Sequence, residues 1–416
     1  MTKTRFGRSA SARAARGSAR ANLKISDPIQ LPYFLLNSRH AAGLPALADR
    51  AVKVPASPIG GSYIVANVRV PKSVQLVGCN GTTATIHVPA GPTIPFALQL
   101  NTNTTLRNLH FRGSVADTRN PDVDGMVNVG PVSGVVIEGC SFMHDGPLTV
   151  PWYTAGRAGI FLNGSTAFVI RSNQFGWLAR AMRLWFSSGG NITGNTIQNI
   201  VGDGIQFWCN SFAGANESQW YQKQACTDLR FEGNHVTNAS TGAGIWGLGV
   251  VGVTFEGNVV DGVGDLGIDC EWCTNVTITS NTLRNCHNAG ISLMISNRHA
   301  TISNNTIEVY SPGYKGATPG GMHGGMGIWL SPTNHHAFPG DTGHSDITIS
   351  DNTVLVRANT PDPPSHSNTV VVPDRKGIEV ASGNRIFIRG NTLLNGSVSS
   401  IDPYNVPTPP LGDTAS

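Results

Sequence analysis

The sequence predicts an all-β chain folded as a parallel β-helix, a solenoid of stacked coils with loop insertions and a short N-terminal cap. Three observations carry this. First, a strand followed by Gly or Ser, then Asn, then an apolar residue recurs, as in VIRSNQF, NITGNTI, VTFEGNVV, VTITSNTL, ITISDNTV and IFIRGNTL. Second, a Gly-Ile phrase returns between those copies, at Gly159-Ile160, Gly204-Ile205, Gly244-Ile245, Gly267-Ile268, Gly290-Ile291, Gly327-Ile328 and Gly377-Ile378, with Ala181-Met182 filling the missing place. Third, the undisturbed steps between the asparagines are 22 to 24 residues, from Asn173 to Asn195 and from Asn234 through Asn258 and Asn281 to Asn305. A unit of that length with period-two strands and no helical period is one coil of a β-helix. A leucine-rich repeat has a similar period but needs a Leu pattern and a helix, and neither is present.

Composition agrees. Charged residues are 13% of the 416, against about 25% in ordinary globular chains. Glycine, at 49 residues, falls short of the every-third spacing of collagen, and 40% apolar residues is too many for a disordered chain. No apolar run approaches the roughly 18 to 20 residues of a membrane span, so no membrane association is expected.

From the N-terminus, residues 1–26 read as a basic flexible arm. Its first 24 residues hold seven Lys and Arg and no acid; the remaining chain has 22 basic and 25 acidic residues. The arm has no apolar core of the kind a Sec signal peptide needs, and no paired arginines. Its charge suits docking on an acidic surface or nucleic acid. Residues 27–59, with Leu31, Phe34, Leu35, Leu36, Leu44 and Leu47, supply a cap or anchor, because a solenoid end must be covered. The helix proper is expected over 60–402. Its early strands are SYIVANVRV, SVQLVGC, ATIHV, FALQL and TLRNLHFRG, and its regular coils follow. Residues 403–416, with Pro407, Pro409 and Pro410, cannot extend a sheet and form a tail.

The asparagines at 173, 195, 234, 258, 281, 305, 352 and 391 should stack at one turn, each satisfying the backbone of its neighbour. Some steps are too long. The excess falls near 144–157, 208–225, 311–325, 332–343 and 356–375, on either side of the strand that starts at Gly-Ile. Insertions gathered on one side of a solenoid build a binding face. The cysteine number is odd, seven, so a disulfide framework is not expected. Cys270 and Cys273 read as core residues, and Cys209 and Cys226 bracket one insertion where an oxidising medium would bridge them.

Alternation assigns the side chains of the Gly-Ile strand. With Ile inward, the outward columns read Phe161, Arg183, Gln206, Trp246, Asp269, Ser292, Trp329, Glu379 and Asn163, Trp185, Trp208, Leu248, Glu271, Met294, Ser331, Ala381. Four of the eight tryptophans fall there. Trp185, Trp208, Trp246 and Trp329 with Arg183 and Gln206 are the expected substrate contacts: rings stack on sugar C–H faces and polar groups bond hydroxyls. The competing expectation is that loops cover this sheet and the rings form a second core. Asp269 and Glu271, two residues apart on one face, and Asp203 are the expected catalytic acids, at a spacing that serves a glycosidase. Asp265 precedes the Gly-Ile of the same coil. A lyase or epimerase would instead draw on Arg183, Lys376, His323, His335 or His336. No cofactor motif is present and no metal site is assigned, though the acids carry the oxygen donors Ca²⁺ takes.

With its period, its G-N-T-I phrases and its small-Gly-Ile phrases, the stretch from about 60 to 400 resembles the right-handed parallel β-helices of the pectate-lyase-like superfamily, and Ser62–Gly78 resembles the opening coils of phage tailspikes. The resemblance implies a carbohydrate-binding protein. In the tailspike form it is a virion fibre, a homotrimer that recognises and depolymerises a bacterial surface polysaccharide and meets other virion proteins through its basic arm. Such a protein is placed in the virion tail or outside the cell without a Sec signal. The alternatives are a free polysaccharide lyase, hydrolase or C5-epimerase, and a structural protein without activity.

Overall fold

The computed structural model describes residues 50–54, 62–78, 84–91, 93–115, 117, 124–147, 156–208, 226–310, 325–333, 342–357 and 376–400. Among them the regular structure is strand throughout, in three parallel sheets of twelve strands each. Every third strand joins the same sheet, so three strands and three corners make one coil, and each coil hydrogen-bonds to the next. This is the predicted solenoid. It already begins with Arg50–Val54, which pairs with Val74–Gly78 inside the stretch assigned to the cap. The arm, the rest of the cap, the C-terminal tail and most of each insertion lie outside the described residues.

The recurring Asn has a physical reason. Asn173, Asn195, Asn234, Asn258, Asn281, Asn305, Asn352 and Asn391 stack at one corner, all nearly inaccessible to solvent. The Nδ2 of Asn258 donates to Asn281 Oδ1 at 2.9 Å and to the Phe231 carbonyl at 3.0 Å. Asn281 Oδ1 also accepts the backbone N–H of Asn258 at 2.9 Å. The pattern repeats from Asn173 to Asn391, and Cys140 caps it by donating its N–H to Asn173 Oδ1 at 2.9 Å. The corner turns because the residue before each ladder Asn is left-handed. Ser172, Gly194, Ser280 and Asp351 there have φ of 55 to 59°. Gly, Asn, Asp and Ser alternate at that place because they tolerate or locally satisfy this conformation.

The glycine of Gly-Ile answers a different constraint. A Cβ at Gly267 would lie 2.4 Å from the Gly290 carbonyl oxygen, and one at Gly327 equally close to that of Gly377. Coils approach so closely at these glycines that a Cβ would strike the next backbone, and between Gly159 and Gly377 only Ala181 places a methyl at the equivalent position. The Ile beside it points inward, and Ile160, Met182, Ile205, Ile245, Ile268, Ile291, Ile328 and Ile378 form one buried column. On the second sheet Phe111, Phe142 and Phe175 stack face to face with centroids 4.9 and 5.0 Å apart.

One polar inclusion breaks the apolar interior. His144, Gly113 and Val88 share a column on the second sheet. The His144 ring is buried with neither nitrogen hydrogen-bonded, and a Cβ at Gly113 would press on it at 3.1 Å. Nearby, Arg157 and Asp117 form a buried ion pair at 2.7 Å, and Arg157 also donates to the Pro89 carbonyl at 3.0 Å. Burial, then the Arg157 charge, push the His144 pKa down to about 4.

Two outcomes follow for stability. Replacing Asn258 by Ala strands buried donors and acceptors on the two neighbouring coils, and each costs roughly 1–3 kcal/mol. The urea midpoint should fall sharply, whereas Thr277→Ala on the outer face of the first sheet should leave it nearly unchanged. For His144 the unfolded chain takes up its proton near pH 6.5 and the folded one only near 4. Stability from this group is therefore full above about 6.5 and declines as pH falls towards 4. Wild type should lose on the order of 3 kcal/mol more than His144→Gln between pH 7 and pH 4, read from urea unfolding at each pH.

Candidate functional site

The third sheet carries the Gly-Ile strands, among them Ala158–Asn163, Arg180–Trp185, Ile205–Trp208, Ile245–Leu248, Leu266–Glu271, Ala289–Met294 and Met326–Leu330. Its register puts Phe161, Arg183, Gln206, Trp246, Asp269, Ser292, Trp329 and Glu379 in one outward column. A second holds Asn163, Trp185, Trp208, Leu248, Glu271 and Met294. These are the columns that alternation predicts. Residues 22 to 50 positions apart become neighbours because hydrogen-bonded strands of parallel coils lie about 4.8 Å apart.

The face is covered, which departs from the open aromatic surface expected. Trp329 is 1% exposed and Trp208 7%, and of the four predicted tryptophans Trp185 and Trp246 are half-buried. Trp208, Leu248, Leu266, Ala289, Met294, Ile295, Met326 and Trp329 form an apolar cluster outside the solenoid core, with Trp185, Trp246 and Trp272 at its edge. The reason is arithmetic of area: an aromatic row this long is costly to leave in water. The competing expectation of a second core is thus met for Trp208 and Trp329. Trp208 and Trp246 lie with centroids 5.5 Å apart, and Phe161 meets Trp185 edge-on at 5.7 Å. The Arg183 guanidinium lies over the Trp185 ring at 4.7 Å.

The acids gather at the middle of this face. Asp269 is fully buried, and Glu271, 8% exposed, follows on the same side of the strand, about 6–7 Å along it. Burial pushes the Asp269 pKa well above the usual carboxylate range; the charge of Glu271 adds to it, and Asp265 contributes less. Ser292, its register neighbour, opposes the rise through its hydroxyl, and beyond that mutual contact neither side chain has a hydrogen-bond partner among the described residues. Gln206 Oε1, two coils back in the column, is likewise buried without a partner. Asp265 accepts from Asn288 Nδ2 at 2.6 Å, and burial raises its pKa to about 6.

Asp203 is held differently. It pairs with Arg180 at 3.2 Å, and its Oδ1 accepts the Ala243 N–H at 3.1 Å, so it braces three successive coils. Lys376 begins a strand of the same sheet, while His323, His335 and His336 lie outside the described residues. Among the described residues no three of His, Cys, Asp and Glu come together as ligands of a metal ion. Cys140, Cys270, Cys273 and Cys286 are free and buried, and Cys226 is disulfide-bonded, with its partner outside the described residues. Trp272, Ser292 and Asn288 were not singled out by sequence. Ser292 stood in the predicted column, but a serine in a column carries no signal until its neighbour is known to be a buried carboxyl.

The profile of the family described as right handed beta helix region matches residues 97–246 and 209–405. The chain belongs to that family. Among solved structures it is similar to PfbA, a surface adhesin of Streptococcus pneumoniae, at 12% identity over 91% of this chain and 90% of that one, with TM-score 0.58. It is similar to the A-module of the Azotobacter vinelandii mannuronan C-5 epimerase AlgE6, at 12% identity, 94% and 95% coverage and TM-score 0.57. It is similar also to the DFA-IIIase of Arthrobacter chlorophenolicus A6, at 13% identity, 91% and 82% coverage and TM-score 0.53. At these identities the likeness is one of fold. No curated protein matches the sequence.

The half-buried and buried tryptophans should respond differently to truncation. Trp329→Ala should destabilise the protein by about 3–5 kcal/mol, as large core truncations do. Trp246→Ala should cost clearly less, and paired urea titrations measure the difference.

Proposed function

We propose that the third-sheet face binds a carbohydrate and cleaves it by general acid–base chemistry. The observation that carries this is Asp269: a buried carboxyl with a raised pKa, beside a second carboxyl, on a face lined by tryptophan. A buried carboxyl that keeps its proton, beside a second carboxyl, is what glycoside hydrolysis requires. In this reading Asp269 holds the proton that goes to the leaving oxygen. Glu271 stabilises the positive charge that develops on the sugar or activates the entering water. Trp246 and Trp185, which keep solvent access, receive the sugar rings first. Trp208, Arg183 and Gln206 line the deeper part. Asp203, tied to Arg180, keeps the coils aligned rather than reacting.

The likeness in fold to an epimerase, a surface adhesin and DFA-IIIase is compatible with this reading but does not select it. The setting we propose is a virion fibre or other extracellular protein anchored through the basic arm, and the charge split between arm and body favours it. Asp265 and Asn288 border the acids and tune their charge.

The purified protein should be incubated with bacterial and plant polysaccharides, with reducing ends and unsaturated uronate absorbance both followed. Hydrolysis releases reducing ends without that absorbance. Asp269→Asn and Glu271→Gln should each lower turnover at least a hundredfold and keep binding, while Trp246→Ala should weaken binding about fivefold. Turnover should fall on the alkaline side as Asp269 loses its proton, at a pH well above that of an ordinary carboxyl. Full turnover in both acid variants would remove this pair from the chemistry.

A further inference from the structure

We infer that the sugar unit held at Asp269 and Glu271 is uncharged and hydroxyl-rich, so that the ligand of this face is a neutral glycan and not a uronan. The inference rests on the carbohydrate reading above and narrows it.

The first ground is what the buried polar atoms lack. Gln206 Oε1, the Asp269 carboxyl and Ser292 Oγ share one outward column, all buried; among the described residues Gln206 Oε1 has no hydrogen-bond partner, and Asp269 and Ser292 face only each other. Burying such groups unpaired is costly, so the site is built for a ligand that pairs them. Gln206 Oε1 only accepts. A protonated Asp269 donates once and accepts with its other oxygen, and a serine hydroxyl does both. Sugar hydroxyls, which donate and accept, satisfy all of these atoms. A ligand carboxylate, which only accepts, cannot pair Gln206 Oε1, so a hydroxyl and not a carboxylate faces that atom.

The second ground is charge. The reaction centre already holds Asp265, Asp269 and Glu271, and the charges of Glu271 and Asp265 both oppose ionisation of Asp269. A uronate among them adds one more negative charge where water is excluded and repulsion is strong. Among the described residues, the two arginines of this face are not placed to offset it. Arg180 is engaged by Asp203 at 3.2 Å. Arg183 lies over Trp185, three coils from Asp269 in the register, or about 14 Å along the axis.

The test uses the full chain and oligosaccharides of matched length: neutral glucan, mannan, galactan and fructan against polygalacturonate and alginate. Binding is measured by calorimetry at pH 7 and low salt, with Ca²⁺ and with chelator. At least one neutral glycan should bind tenfold or more tighter than either uronan. Gln206→Leu and Ser292→Ala should each weaken that binding severalfold while the melting temperature holds. Asp269→Asn combined with Glu271→Gln should narrow the gap by raising uronan affinity. A uronan that binds wild type as tightly as the best neutral glycan overturns this inference and leaves the carbohydrate reading standing. Binding of neither class overturns both.

Discussion

Everything in this molecule depends on the hydrogen bond that one ladder asparagine gives the next. Each amide donates to the coil after it and to a backbone carbonyl of the coil before it, and its oxygen takes the N–H of its predecessor. This fixes coil against coil to the residue. A slip of one position would turn every side chain of a strand to the opposite face and expose the Ile column. The amide is worth its burial only because every polar atom of the row is paired, and it is most effective when the row is unbroken.

The same register builds the candidate site without any local motif. Asp269 and Glu271 come from one strand, but Trp246, Gln206 and Ser292 reach them only because neighbouring coils stack in step. The face therefore differs in kind from the solenoid interior. Among the described residues the interior is mainly apolar, with the asparagine ladder and the His144, Arg157 and Asp117 inclusion as polar exceptions. The outer cluster of the third sheet mixes tryptophan, methionine and leucine with enclosed carboxyls. Burying an acid beside another acid costs free energy that the fold itself does not need, and such strained charge concentrates at working sites.

Much of this was legible from sequence because repetition amplifies a weak signal. A single Asn phrase means little; eight copies, with four of the steps between them at 22 to 24 residues, fix the coil, the ladder and both outward columns, including the places of Asp269, Glu271 and the four tryptophans. What did not repeat was hidden. Alternation assigns a side chain to a face but not the burial of that face, so Trp329 and Trp208 read as open rings although both are buried. Arg50–Val54 reads as part of a leucine-rich cap because its partner strand, Val74–Gly78, lies outside the regular repeat. The pairing of Asp203 with Arg180 was missed because it joins coils at a position before the Gly-Ile phrase, where no period-two pattern runs.

The most direct test is a crystal structure of the Asp269→Asn protein soaked with a neutral oligosaccharide that the wild type binds. The account predicts a sugar chain on the third-sheet face, stacked on Trp246, with hydroxyls bonded to Gln206 Oε1 and Ser292 Oγ. Sugar bound on the first or second sheet, or a third-sheet face still closed over its tryptophans with the ligand elsewhere, would contradict it.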